Sequence, residues 1–188
     1  MTEAEWIVRA RQQDEAAWEA LTRQHQDAVF RLAYLLVGDA DDAEDVAQEA
    51  FIRAYRALGR FDTTRPLRPW LLSITANLAR NRLRSVGRYL NALNRALRAE
   101  PEKVINVPEA SQQKIEAQAL WQAVRQLGEA DQHVIYLRYF LEMSEAETAE
   151  ALSIAPGTVK SRLHRALGRL RSVVERDFPI LRKEWVDG

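Results

Sequence analysis

Thr158, Lys160, Ser161, Arg162, Arg165 and Arg169 fall on one side of a 3.6-residue period, with Val159, Leu163, Ala166, Leu167 and Leu170 on the other. No nucleophile stands beside a base in either set. Short polar side chains at the start of a helix and cations along it are the groups that touch base edges and hold phosphates. From Ala151 to Val174 there are five Lys or Arg and no acid. A second basic block carries related chemistry. Thr63 to Ala99 holds eight Arg and no acid, and Asn77, Arg80, Asn81 and Arg84 line one helical side. The loop before it, RFDTTRPLRPW, offers Phe61, Arg68 and Trp70. Flat rings stack on an unpaired base, although Trp70 suits a core anchor at a helix start equally well. A third set is acidic: Leu32 to Ile52 holds six acids and no base. Asp45, Gln48, Glu49, Ile52 and Arg53 lie outside the inward stripe Ala43, Val46, Ala47, Ala50, Phe51, Ala54, Tyr55 and Leu58. Acids early in a helix offset its macrodipole, so part of that run is structural. On these residues alone a solvated face is favoured over a protein-docking face.

The elements that must position these groups are helices. Ser144-x-x-Glu147 is a capping box that starts a short helix with Ala146, Ala149 and Leu152 inward. Ser153-Ile154-Ala155 makes a turn, and Pro156 suits the first position of the next helix, where a missing N–H costs nothing. The pair reads as a helix-turn-helix. Upstream, Glu3 to Arg11 is a short amphipathic segment and Asp14 to Val37 a long helix ended by Gly38. His25 belongs at the edge of that helix's core. The acidic helix begins near Asp39 and stops at Gly59. Another runs from Pro69 or Trp70 to about Val86, with Leu71, Ile74, Leu78 and Leu83 inward, and Tyr89 to Arg98 continues the helical pattern. Pro101 and Pro108 mark a stretch without periodicity. Helices from about Ser111 to Leu127 and from Asp131 to Leu141 precede the helix-turn-helix, and the tail after Arg171 offers Val174, Phe178, Ile180 and Trp185 as a cap on that small core.

The expected fold is therefore all-α, in two small helical domains. The first spans 1–98, the linker 99–113, and the helix-turn-helix domain 114–188. Acids and bases balance at 27 each, so the signal lies in their segregation rather than in net charge. The chain has no Cys, and its three His have no metal-ligand spacing. Neither a signal peptide nor a bilayer-length apolar run is present. The expectation is a cytoplasmic protein without cofactor or metal. With no Gly-rich phosphate loop or nucleophile–base arrangement, an enzyme is disfavoured.

Three linked stretches, Asp42 to Asp62, Arg68 to Arg84 and the helix-turn-helix, resemble an extracytoplasmic-function (ECF) sigma factor of bacterial RNA polymerase, in the family's order and over most of the chain. The resemblance implies that 1–98 is sigma region 2 and 114–188 sigma region 4. It gives Asp45, Gln48, Glu49, Ile52 and Arg53 to docking on core polymerase, which reverses the solvated reading of that face. It gives Phe61, Arg68, Trp70, Asn77, Arg80, Asn81 and Arg84 to the single-stranded minus-10 element, with Asn77 at the base-contacting asparagine and Arg80 and Arg84 on backbone. It gives Thr158, Lys160, Ser161, Arg162, Arg165 and Arg169 to the double-stranded minus-35 element. The partners implied are core RNA polymerase and promoter DNA, with an anti-sigma factor as a further one. The chain departs from the family at Glu145 and Thr148, where Tyr and Ile are frequent, at Ser153, where Gly is frequent, and at Gly128, where Pro is usual. The rival is a two-domain helix-turn-helix regulator that is not a polymerase subunit. It leaves the second basic block without a task.

Overall fold

Side-chain caps set where the helices begin. The computed structural model describes residues 1–96 and 112–184, and side chains over 1–85 and 114–181. Thr2 and Glu5 form a capping box on α1 (Glu3–Arg11). Asp14 accepts from the Ala17 amide to start α2 (Glu15–Val37), and Asp39 accepts from Asp42 to start α3 (Ala40–Ala57). The expected Ser144–Glu147 box starts α7 (Glu145–Leu152). Each cap satisfies an amide that the helix leaves without an internal partner. The remaining helices are α4 (Leu67–Ala96), α5 (Gln112–Arg125), α6 (Glu129–Ile135) and α8 (Pro156–Asp177). Among the described residues every regular element is helical.

In the N-terminal half, α2, α3 and α4 pack on one another and α1 lies across α2. Their shared core holds Leu21, Val29, Leu32, Leu36, Val46, Ala50, Leu58, Leu67, Leu71 and Leu72, all buried. In the C-terminal half α6, α7 and α8 pack together around Val134, Ile135, Tyr136, Leu137, Met143, Val159, Ala166 and Leu170. Val174 and Leu181 close that core, and Phe178 packs against it. The expected Trp185 cap and most of the expected 99–113 linker lie outside the described residues.

Some expectations shift. The helix containing Asn77 begins at Leu67 and runs unbroken to Ala96, longer than its apolar stripe suggested. Leu83 on it is 42% exposed, and Tyr55 on α3 is 42% exposed with its ring against Trp18 at 5.1 Å. On α7, Thr148, Ala149 and Ala151 are buried while Ala146 is exposed. The segment after Ile135 continues as a π turn, Tyr136–Phe140. The departures noted in the sequence fall at informative places. Ser153 ends α7 in the left-handed region, at φ 54° and ψ 45°, where glycine is the unstrained choice. The Thr148 hydroxyl is buried without a hydrogen-bond partner. Gly128 has φ −64° and ψ 149°, a backbone that proline also adopts.

Candidate nucleic-acid and polymerase interfaces

The turn of the helix-turn-helix is fixed by the Ser153 and Ile154 amides, which donate to the Glu150 and Ala149 carbonyls. Ala155 precedes α8, and Pro156 occupies its first turn as expected. Along α8, Val159, Ala166 and Leu170 are buried, so the opposite side is fixed outward. Lys160, Ser161 and Arg165 are exposed, and Thr158 and Arg162 are half-buried. Arg169 also reaches solvent, but its guanidinium pairs with the buried carboxylate of Asp131 on α6. That pair ties α8 to α6, so Arg169 has a structural task in addition to any contact with DNA. The ring of His133 on α6 is buried. Burial holds it below the ordinary histidine range, and the charges of Arg80 and Arg162 add to the effect while Glu129 opposes it.

The second basic surface is built on α4 and the loop in front of it. Asn77, Asn81 and Arg84 are exposed on successive turns. Arg80 donates to the Asn77 Oδ1 at 3.4 Å. Phe61 is 7% exposed and packs on the half-buried Trp70, with ring centroids 4.7 Å apart. Phe61 therefore backs Trp70 from inside rather than presenting its own face. Both readings of Trp70 meet here: it anchors the helix start and keeps part of its ring outward.

Three arginines of this surface are held by the other half of the chain. Arg80 pairs with Glu129 at the start of α6. Arg65 pairs with Glu150 on α7 at 2.6 Å, and Arg68 donates to the Leu141 carbonyl at 2.8 Å. Burial raises the Glu129 carboxyl, but the hydrogen bond and charge of Arg80 outweigh it, and the group sits below its ordinary range. A ring ladder adds to the contact. Phe30 stacks on Tyr34, and Tyr34 on Trp121 of α5 at 5.8 Å. Trp121 donates to the Leu35 carbonyl at 3.2 Å, and Arg125 lies over the Trp121 ring and against Gly38. Gly38 ends α2 at φ 85°, and a Cβ there would strike that guanidinium. Arg65, Trp121, Arg125, Glu129 and Glu150 were not singled out from the sequence. Only Arg65 carried a signal, as part of the second basic block.

The acidic face lies on the far side of α3. Gln48, Ile52 and Arg53 are exposed, Ile52 by 45%, and Arg53 pairs with Glu49 at 2.6 Å. Asp45 is exposed, 3.7 Å from Arg82, whose closer partner is Asp42. Beside these residues runs a groove of about 490 Å³ between α2 and α3, with Phe30, Ala47, Gln48 and Phe51 in its walls. The structure thus brings the five expected docking residues together on one helix, next to an apolar groove. No group of three or more metal-ligating side chains occurs among the described residues, and no helix there is long and apolar enough to cross a membrane.

Comparisons with known proteins give matches to each half of the chain. The sigma-70 region 2 family matches residues 21–89, and the sigma-70 region 4 family matches residues 117–170. The ECF RNA polymerase sigma factor SigW of Bacillus subtilis is 34% identical over 173 residues, covering 88% of this chain and 92% of the relative. SigL, an ECF RNA polymerase sigma factor of Mycobacterium tuberculosis, is 35% identical, covering 85% and 90%. The RNA polymerase sigma-H factor of Pseudomonas aeruginosa is 33% identical over 94% of both chains. Two solved structures share the fold. CnrH, in complex with the cytosolic domain of CnrY, has a TM-score of 0.70 at 23% identity, covering 93% of this chain and 98% of that one. The sigma factor RpoE of Bartonella quintana, in complex with the anti-sigma factor NepR, has a TM-score of 0.66 at 24% identity, covering 85% and 97%.

Proposed function

This chain belongs to the ECF RNA polymerase sigma factors, which bind core polymerase and direct promoter-specific initiation, and we propose that it divides this work among three surfaces. Asp45, Gln48, Glu49, Ile52 and Arg53 dock the α2–α3 face on core polymerase. Thr158, Lys160, Ser161, Arg162 and Arg165 read the duplex minus-35 element, with Arg169 bracing α8. Arg68, Trp70, Asn77, Arg80, Asn81 and Arg84 capture the melted minus-10 strand, with Phe61 behind Trp70. In domain terms 1–98 is the docking and melting unit, 99–113 the linker and 114–188 the minus-35 unit. The observation that carries this reading is that two basic surfaces lie on separate helices, α4 and α8, and the acidic face lies on a third.

The work is binding and strand capture, with no bond made or broken by this chain. Cations displace counterions from phosphates, and the polar start of α8 reads base edges. Unstacking a base costs roughly a few kcal/mol. Holding both DNA units on one polymerase makes the second contact effectively intramolecular, which offsets that cost without new contacts. Because Arg65, Arg68 and Arg80 are held by the C-terminal half, strand capture requires the two halves to separate. An anti-sigma factor is a further partner we propose, in keeping with the complexes in which the two structural neighbours were solved. The place of action is the cytoplasm, where core polymerase works.

The test separates the two DNA units. Asn77→Ala should reduce permanganate-detected melting more than closed-complex formation. Arg162→Ala should weaken binding to duplex promoter bearing the minus-35 element. Melting left intact by Asn77→Ala would remove the base-capture role.

A further inference from the structure

The family match for region 2 begins at residue 21, so α1 lies outside it, yet α1 holds both ends of the loop that precedes the strand-capturing helix. At the loop's entry, Arg11 donates through Nε to the Leu58 carbonyl at 3.0 Å and through Nη2 to the Phe61 carbonyl. At its exit, Glu3 Oε2 accepts from the Leu67 amide, the first of α4, at 3.2 Å. The other oxygen of that carboxylate lies 3.0 Å from the buried His25 ring and accepts from Gln24 at 3.2 Å, so Glu3 is itself fixed. α4 has no acid of its own in its first turn, and Glu3 supplies one from a different helix. Eight helical steps lead from Glu3 to Arg11, about 12 Å. Between the two anchors the loop is set by Asp62, whose Oδ1 accepts from the Thr64 amide at 3.0 Å and from its hydroxyl at 2.7 Å. Phe61, whose carbonyl Arg11 holds, carries the ring on which Trp70 rests.

We infer that α1 is a splint for the base-reading loop, and that Arg11 and Glu3 are positioning residues that hold Phe61, Asp62 and the start of α4 in the geometry that accepts an unstacked minus-10 base. The inference rests on the strand-capture reading above. It differs from a general stabilising role because both anchors grip backbone at the loop's ends. An open loop pays for its own ordering when a base enters, whereas a held loop is ordered beforehand. Arg11 acts as a fork across two carbonyls, a geometry that lysine cannot reproduce.

The experiment uses full-length protein assembled with core polymerase and single-stranded minus-10 oligonucleotides substituted one base at a time. Thermal stability and core affinity are measured alongside. For Arg11→Ala, discrimination at the captured position should fall about tenfold, as expected for losing charge-assisted hydrogen bonds, with core affinity within about twofold of wild type. Arg11→Lys should recover only part of the loss, and Glu3→Gln, which keeps an acceptor for Leu67, should lose less than Arg11→Ala. Unchanged discrimination in Arg11→Ala would overturn the splint. So would equal losses in core affinity and discrimination, which mark a purely structural role. If the wild-type holoenzyme itself discriminates no base, the strand-capture reading fails, and the splint with it.

Discussion

Replacing Glu129 and Glu150 together by Gln should loosen the contact between the two halves of the chain and free Arg80 of α4 and Arg65 in the loop before it. The Arg80–Glu129 pair has side-chain exposures of 35% and 48%, and Arg65–Glu150 of 54% and 17%. Water screens both, so each contributes about 0.2–1 kcal/mol, not the larger figure for a buried pair. Removing both shifts the balance toward separation by about 0.4–2 kcal/mol, a factor of about 2 to 30. Separation should not become complete, because the Phe30–Tyr34–Trp121 ladder and the Trp121 hydrogen bond to Leu35 remain. The chain has no cysteine, so Glu15→Cys and Ser172→Cys, both at exposed positions, give a specific donor–acceptor pair for single-molecule energy transfer. The open fraction of the Gln variant should rise by that factor at about 0.05 M salt. The wild type should approach it at about 0.5 M, where the Debye length is shorter. Affinity of the free protein for a minus-10 oligonucleotide should rise in proportion while the open state is the minor one. An open fraction and an oligonucleotide affinity both unchanged in the variant would refute the reasoning that these pairs restrain α4.

Four further outcomes follow from single sites. Ser153→Gly should stabilise the C-terminal half by roughly 0.5–1 kcal/mol, because the residue sits in the left-handed region, partly offset by the greater freedom of glycine in the unfolded chain; urea denaturation reads this directly. Thr148→Val should also stabilise, by about 1 kcal/mol, since it removes a buried hydroxyl with no partner at nearly constant shape. Asp131→Ala should destabilise by about 1–3 kcal/mol and reduce minus-35 binding beyond what Arg169→Ala does, because Asp131 is buried against the Arg169 guanidinium and ties α6 to α8. Burial lowers both His25 and His133 below their ordinary value, against the raising effects of Glu3 and Glu129. The neutral rings therefore contribute stability that is full above the unfolded histidine value near 6.5 and is lost as pH falls through the lower folded values. Melting temperature should drop as pH falls below about 6.5, at no more than about 1.4 kcal/mol per pH unit per ring, and His133→Gln should flatten that slope.

Much of this layout was legible in the residues. Helical period, the Ser144–Glu147 box and Pro156 placed the helix-turn-helix, and charge segregation separated two basic surfaces from the acidic one. What periodicity could not supply was contact between elements distant in sequence. Nothing local to Trp121 says that its ring stacks on Tyr34, or that Glu129 takes Arg80. Leu83 and Tyr55 fall on apolar stripes and still reach solvent, because α4 outruns the core that would cover it and Tyr55 leans on Trp18 at the core's rim. Phe61 was grouped with the base-facing residues by its position in an aromatic-bearing loop, and packing turned it inward. The π turn at Tyr136–Phe140 widens the helix by one residue per turn, an adjustment that the apolar pattern from Val134 to Leu141 does not encode. Arg11 and Glu3 read as ordinary charges on a short surface helix, and only the loop's carbonyls and the Leu67 amide give them a task.

This chain confers start-site choice on core polymerase. Transcripts made on genomic DNA by core polymerase, with and without the purified chain, should differ by a set of new starts sharing two upstream elements at fixed spacing, and Asn77→Ala should abolish those starts. Specific binding of the chain to DNA without polymerase, with no new starts when polymerase is supplied, would contradict it.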